Sequence, residues 1–128
     1  MSNGDSSRTA SFYTLGCKLN QSETNAIQQE FVQRNYDIVP FGEPANISVI
    51  NTCTVTNQAD SKSRSVIRKA VKASPDGRVV VTGCYAQIQP EEIQAIEGVN
   101  LILGTAEKHH LFDYLDRAGN GLEPLVFV

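Results

Sequence analysis

Val49-Ile50-Asn51-Thr52-Cys53 is a largely apolar, β-branched run that stops at a cysteine. Ile47 to Asn51 reads as a strand buried on both faces, as in a parallel sheet. Two further stretches share this design: Tyr13-Thr14-Leu15-Gly16-Cys17 and Val80-Val81-Thr82-Gly83-Cys84. In each, a short strand ends at a cysteine after Gly or Thr, and a helix-like segment follows. Together the three stretches hold every cysteine of the chain. If the strands are parallel neighbours, the thiols emerge at one edge of one sheet, the edge at which open α/β sheets bind ligands. Three thiolates converging on one point hold three irons of a four-iron cluster and leave the fourth open.

Outward from these stretches the chain reads as alternating strands and helices. Residues 1–10 are a loose polar tail. Ser11 to Gly16 is the first strand. A helix from about Gln21 to Arg34 has Asn20 as N-cap, paired with Glu23 in the reciprocal capping pattern. Its buried stripe is Ile27 and Phe31, and Asn35 is its left-handed stop. Tyr36 to Phe41 is the second strand. Gly42 to Asn46, with Pro44, is too short for a helix, so the step to the next strand lacks one. A second helix runs from about Gln58 to Ala73, with Ala59, Ser63, Val66, Ile67, Ala70 and Ser74 toward the sheet. Pro75-Asp76-Gly77 is a turn, and Arg78 to Thr82 the fourth strand. A third helix has Pro90 in its first turn and Gly98 at its end. Val99 to Leu103 is the fifth strand. A fourth helix runs from Thr105 or Ala106 to about Gly119, with Leu111, Leu115 and Ala118 in one row.

This pattern predicts an α/β, flavodoxin-like, doubly wound fold. It has a mainly parallel sheet of about five strands, helices on both faces and right-handed crossovers. One domain is expected over 11–119. Glu123 to Val128 opens another apolar run, so 120–128 reads as the start of a linker in a longer protein.

The chain has 128 residues, of which 41% are hydrophobic and 20% charged, values that fit a globular domain and argue against disorder. The formal net charge of -3 gives no bulk sign of a nucleic-acid binder, so such a role needs a local patch. No apolar run approaches the roughly 18 residues of a membrane span. Met1 to Ser7 lacks the apolar core of a secretory signal, so the cytoplasm is expected. Three cysteines in such a chain point to metal or reactive thiol chemistry rather than a disulfide framework.

Neighbouring cysteines lie 36 and 31 positions apart (17 to 53 and 53 to 84). Local zinc motifs pair ligands about two to four residues apart, and no such pair exists here. A zinc site would need a fourth ligand, and the two histidines, His109 and His110, fall in the fourth helix as surface residues. A single free cysteine is often a small buried hydrophobe. Three at equivalent strand ends, two of them beside a glycine that lets backbone approach a bulky group, argue for a shared ligand.

At these residues the sequence resembles a family. Thr14-Leu15-Gly16-Cys17-Lys18-Leu19-Asn20-Gln21-Ser22-Glu23 is similar to the first signature of the methylthiotransferases, which are radical S-adenosylmethionine enzymes. Asn51 to Arg64 (NTCTVTNQADSKSR) resembles the second signature, and Val81-Thr82-Gly83-Cys84-Tyr85-Ala86-Gln87 the third. Gly104-Thr105-Ala106-Glu107-Lys108-His109 resembles a further family stretch. The resemblance covers about Ser11 to Ala118. It implies an auxiliary 4Fe–4S cluster on Cys17, Cys53 and Cys84, with no catalytic side chain assigned. It also implies that sulfur methylated at the open iron passes to a substrate carbon once a radical has formed there.

The runs after Cys17 and Cys53 look most like the branch that modifies N6-threonylcarbamoyladenosine beside the tRNA anticodon. In the family, a second 4Fe–4S cluster and S-adenosylmethionine belong to a radical domain with a Cys-x-x-x-Cys-x-x-Cys motif, and a C-terminal domain binds RNA. This sequence has neither the motif nor spare cysteines. It therefore reads as the N-terminal cluster domain, partnered in cis by those domains and inert alone.

Around the cluster, the backbone at Gly16 and Gly83 and the side chains of Asn20, Asn51 and Thr52 are candidates to donate hydrogen bonds to the sulfurs. Asn20 reads equally as a plain helix cap. Helix two carries Lys62, Arg64, Arg68, Lys69 and Lys72. These make either a solvated face or a positive surface toward tRNA, with Lys62 and Arg64 the candidate contacts. Tyr85 either packs over the cluster or covers the sheet edge. Other readings are another methylthiotransferase branch (isopentenyladenosine tRNA or ribosomal protein), a metal-free thiol redox module, and a non-enzymatic α/β binding domain. Cysteine pairing in air-oxidised protein would favour the redox module. The binding domain lacks both a phosphate loop and a receiver's acidic cluster.

Overall fold

The computed structural model describes residues 8–15, 18–52, 57–74, 77–88, 90–104, 111 and 125–127. Among these, six strands form one sheet: β1 (Arg8–Thr14), β2 (Tyr36–Ile38), β3 (Ile47–Thr52), β4 (Arg78–Gly83), β5 (Val99–Leu103) and β6 (Leu125–Phe127). Their order is β2-β1-β3-β4-β5-β6, and every neighbouring pair is parallel. The first five strands have the flavodoxin-like order. The sixth extends the sheet beyond the expected five. It lies within 120–128, so part of the stretch read as the start of a linker is a strand, paired from Leu125↔Leu101 to Phe127↔Leu103.

The helices are α1 (Lys18–Gln33), α2 (Asn57–Ala73), α3 (Cys84–Ile88) and α4 (Pro90–Gln94). They pack on both faces of the sheet because side chains alternate along each strand. Ile50, Val79, Val81, Val99 and Ile102 face Val66, Ile67 and Ala70 of α2, together with Tyr85, Ala86 and Ile93. On the other face, Ala10, Ile47, Val49, Val80, Leu101 and Leu103 meet Ile27 and Phe31 of α1. There the Phe31 ring stands edge-on between Phe12 and Tyr36, with centroids 5.2 and 4.9 Å away. All six residues of β3 are buried, as a central parallel strand requires.

Several local expectations hold. Asn35 is left-handed at φ 70°. No helix lies between β2 and β3. The α2 stripe is buried at Ser63, Val66, Ile67, Ala70 and Ser74, and the Ser74 hydroxyl accepts a hydrogen bond from the Ala45 amide at 2.9 Å. Others need correction. α1 starts at Lys18, so Asn20 is inside the helix and is not its cap. The Asn20–Glu23 spacing suits neighbouring positions within a helix as well as a capping pair. The third helix does begin at Pro90, as α4, but ends at Gln94 rather than Gly98, and the short α3 before it was not expected. Pro90, without a backbone N–H, opens α4 instead of extending α3. Of the fourth helix only Leu111 lies among the described residues, and it is helical and buried.

β4 and β5 carry a register shift between Val79 and Val80. The Asn100 side chain stands in for the lost ladder bond and accepts from the Val79 amide at 2.8 Å.

Candidate metal centre

Three adjacent strands lead to the three cysteines. Thr14 pairs with Asn51, Asn51 with Thr82, and Thr52 with Gly83. The Leu15 amide continues the first ladder, donating to the Asn51 carbonyl at 2.8 Å. The chain therefore leaves toward residues 17, 53 and 84 from three consecutive strand ends. Neighbouring strands are about 4.8 Å apart, so these exits lie along about 10 Å of one edge. The edge includes the β1/β3 junction, where the strand order reverses and open α/β sheets form their binding crevice. Cys84 is the first residue of α3. Gly16, Cys17 and Cys53 lie outside the described residues.

Beneath the exits is a floor of buried polar side chains. Thr24 of α1 joins two strands: the Thr14 hydroxyl donates to its oxygen at 2.8 Å and the Asn51 amide at 3.1 Å. The Thr52 hydroxyl donates to the Thr82 carbonyl at 2.6 Å, so its one proton is committed to the sheet and not to a sulfur. Thr24 was missed in the sequence. Its signal was present, because Thr24, Ile27 and Phe31 share one helical stripe, and a polar residue on a buried stripe needs a partner.

Gly83 ends β4 at φ +103°. A Cβ there would run into the Thr52 carbonyl oxygen and lie 2.7 Å from both the Thr52 nitrogen and Asn51 Oδ1. This close, left-handed step lets β4 pass directly into α3 at Cys84.

Tyr85 follows, and its ring is wholly buried in the core shared with α2. Its hydroxyl donates to Glu92 Oε1 at 2.5 Å. Arg64 Nη1 reaches the same hydroxyl and the same carboxylate, each at 3.0 Å. Burial, reinforced by the bond to Glu92, pushes the Tyr85 phenol above its ordinary pKa, and the Arg64 guanidinium pulls the other way. Of the two basic residues singled out on α2, Lys62 is exposed and Arg64 is paired within the fold. His109 and His110 lie outside the described residues.

Cysteines that follow three adjacent strand ends in the sequence are a donor set of the kind an iron–sulfur cluster takes. Among the described residues, which do not include Cys17 and Cys53, no group of three or more His, Cys, Asp or Glu is gathered for a metal ion.

The sequence profile of the uncharacterized protein family UPF0004 matches residues 9–104, from β1 through β5. The chain belongs to that family. This UPF0004 chain is similar to the threonylcarbamoyladenosine tRNA methylthiotransferase MtaB of Bacillus subtilis (strain 168), at 48% identity over 117 residues, covering 91% of the chain and 26% of the relative. It is 42% identical over 110 residues to the MtaB of Aquifex aeolicus (strain VF5), covering 83% of the chain and 27% of the relative. It is 32% identical over 107 residues to the tRNA-2-methylthio-N(6)-dimethylallyladenosine synthase of Methylacidiphilum infernorum (isolate V4), covering 80% and 23%. The UPF0004 chain thus spans about a quarter of the length of the curated relatives it matches. No helix among its described residues is long and apolar enough to cross a membrane.

Proposed function

We propose that the chain is the auxiliary-cluster domain of a tRNA methylthiotransferase, with Cys17, Cys53 and Cys84 as the three protein ligands of a 4Fe–4S cluster. The observation that carries this is the run of hydrogen-bonded strand ends, β1, β3 and β4, each leading to one cysteine. Three thiolates leave one iron to a non-protein ligand, which is where sulfur bound for the substrate would be held. The chain's own residues supply the platform. The threonine–asparagine floor fixes the three exits relative to one another, and buried apolar side chains on both faces make that edge stiff. Gly16, Gly83, Asn20 and the second N–H of the Asn51 side-chain amide remain the candidates to donate to the sulfurs.

The substrate proposed is N6-threonylcarbamoyladenosine beside the anticodon of a cytoplasmic tRNA. Relatives at 48% and 42% identity are named for that nucleoside, and the one at 32% for a different adenosine. Radical chemistry, S-adenosylmethionine and the second cluster are assigned to further domains acting in cis. Lys62, exposed on α2, is the better of the two proposed RNA contacts, since Arg64 already has partners.

Anaerobic reconstitution of the chain with iron and sulfide tests the cluster assignment. About four irons and four sulfides per chain, with broad visible absorption that bleaches on reduction, are expected. A colourless protein whose thiols pair with one another on air oxidation would replace it with a redox role.

A further inference from the structure

β3 ends at Thr52, one residue before Cys53, and α2 begins at Asn57. β4 ends at Gly83, and the chain enters α3 at Cys84 with no intervening loop. These two exits are linked a second time, away from the strands. Arg64 of α2, Tyr85 of α3 and Glu92 of α4 meet at one point, with all three polar distances between 2.5 and 3.0 Å. Tyr85 is the residue directly after Cys84, and its ring is locked by packing against the core under α2. α3 is only five residues long, too short to hold its own position, and so depends on such an anchor. The contact is also more directional than packing alone. A single carboxylate oxygen takes both the phenol proton and a guanidinium N–H, a charge-assisted arrangement of fixed geometry.

We propose that Arg64, Tyr85 and Glu92 are positioning residues for the metal centre, holding the α3 backbone at Cys84 in fixed relation to the α2 segment that follows Cys53. The proposal rests on the cluster assignment above. It gives the second and third sequence signatures a shared physical task, because Arg64 closes one and Tyr85 lies in the other. It also gives Glu92, outside all three signatures, a role. Tyr85→Phe keeps the buried ring and removes only the hydroxyl. Glu92→Gln keeps the shape and removes the charge.

The test compares reconstituted wild-type chain, Tyr85→Phe, Glu92→Gln and the double variant. A control, Ile27→Val, trims the core on the opposite face of the sheet. Each protein is characterised by thermal melting, by the rate of iron release to a chelator under anaerobic conditions, and by the electron paramagnetic resonance signal of the reduced cluster. Iron release from Tyr85→Phe and from Glu92→Gln is expected to be about tenfold faster than from wild type, with a broadened or shifted resonance signal. The double variant should release little faster than either single one, because the groups act as a unit. Ile27→Val should release iron at the wild-type rate although its melting temperature falls. Wild-type release rates and signals in both single variants, or release that simply follows melting temperature across the set including Ile27→Val, would overturn the proposal. Failure of the wild-type chain itself to bind iron would instead remove the cluster assignment, so the two failures are distinguishable.

Discussion

Cys53→Ala is expected to hold less than about one iron per chain after reconstitution, against about four for wild type, with an unchanged far-ultraviolet circular dichroism spectrum. The loss should exceed that of any neighbouring substitution because of the strand that residue 53 follows. β3 lies between β1 and β4, so Cys53 follows the middle of the three exits. Without it, the two remaining thiols belong to strands that do not pair with each other. The fold should survive, since both core clusters among the described residues are built from other side chains. Global unfolding of this variant, or wild-type iron content in it, would contradict the assignment.

Gly83→Ala should have the largest effect on stability, about 3 kcal/mol or more in urea denaturation. Two costs add. A non-glycine residue at φ +103° is strained by about 1–3 kcal/mol. The new methyl would also overlap the Thr52 carbonyl oxygen. That neighbour is backbone of a fully buried strand, so it cannot swing aside, and overpacking of this kind costs about 1–3 kcal/mol. Gly42→Ala separates the two terms. Its φ is +99°, but its Cβ would meet only the flexible end of Lys69, at 3.5 Å. It should therefore lose only the conformational part, about 1–2 kcal/mol. Equal losses at the two positions would show that the β3–β4 contact yields more easily than a packed sheet should.

Much of this arrangement was legible in the residues. β-branched runs ending at cysteines marked β1, β3 and β4, and the absence of helix-length sequence between Tyr36 and Ile47 foretold the bare step from β2 to β3. The α2 stripe emerged at the expected positions because its spacing is set by helix geometry alone. What stayed hidden depends on contacts distant in sequence. Nothing local says that Glu92 returns to Tyr85 and to Arg64, 28 residues earlier, or that Thr24 bridges β1 and β3. Asn20 misled because a capping pair and a mid-helix pair have the same spacing. β6 could not be placed because three residues of apolar sequence do not reveal which strand they will join.

Each residue of β3 is buried, and β1 and β4 hydrogen-bond to it along both sides, whereas β2 and β6 are three-residue strands at the margins. Opening free energies in such a sheet are graded from rim to centre. Amides of Val49 to Asn51 should therefore exchange with deuterium only when the whole molecule unfolds, while those of β2 and β6 exchange through local fraying. The strand that leads to Cys53 then belongs to the slowest-exchanging unit of the protein. On the cluster assignment proposed above, a thiolate tethered there would lose and regain iron many times within the lifetime of a single folded molecule, without the polypeptide having to refold between cycles.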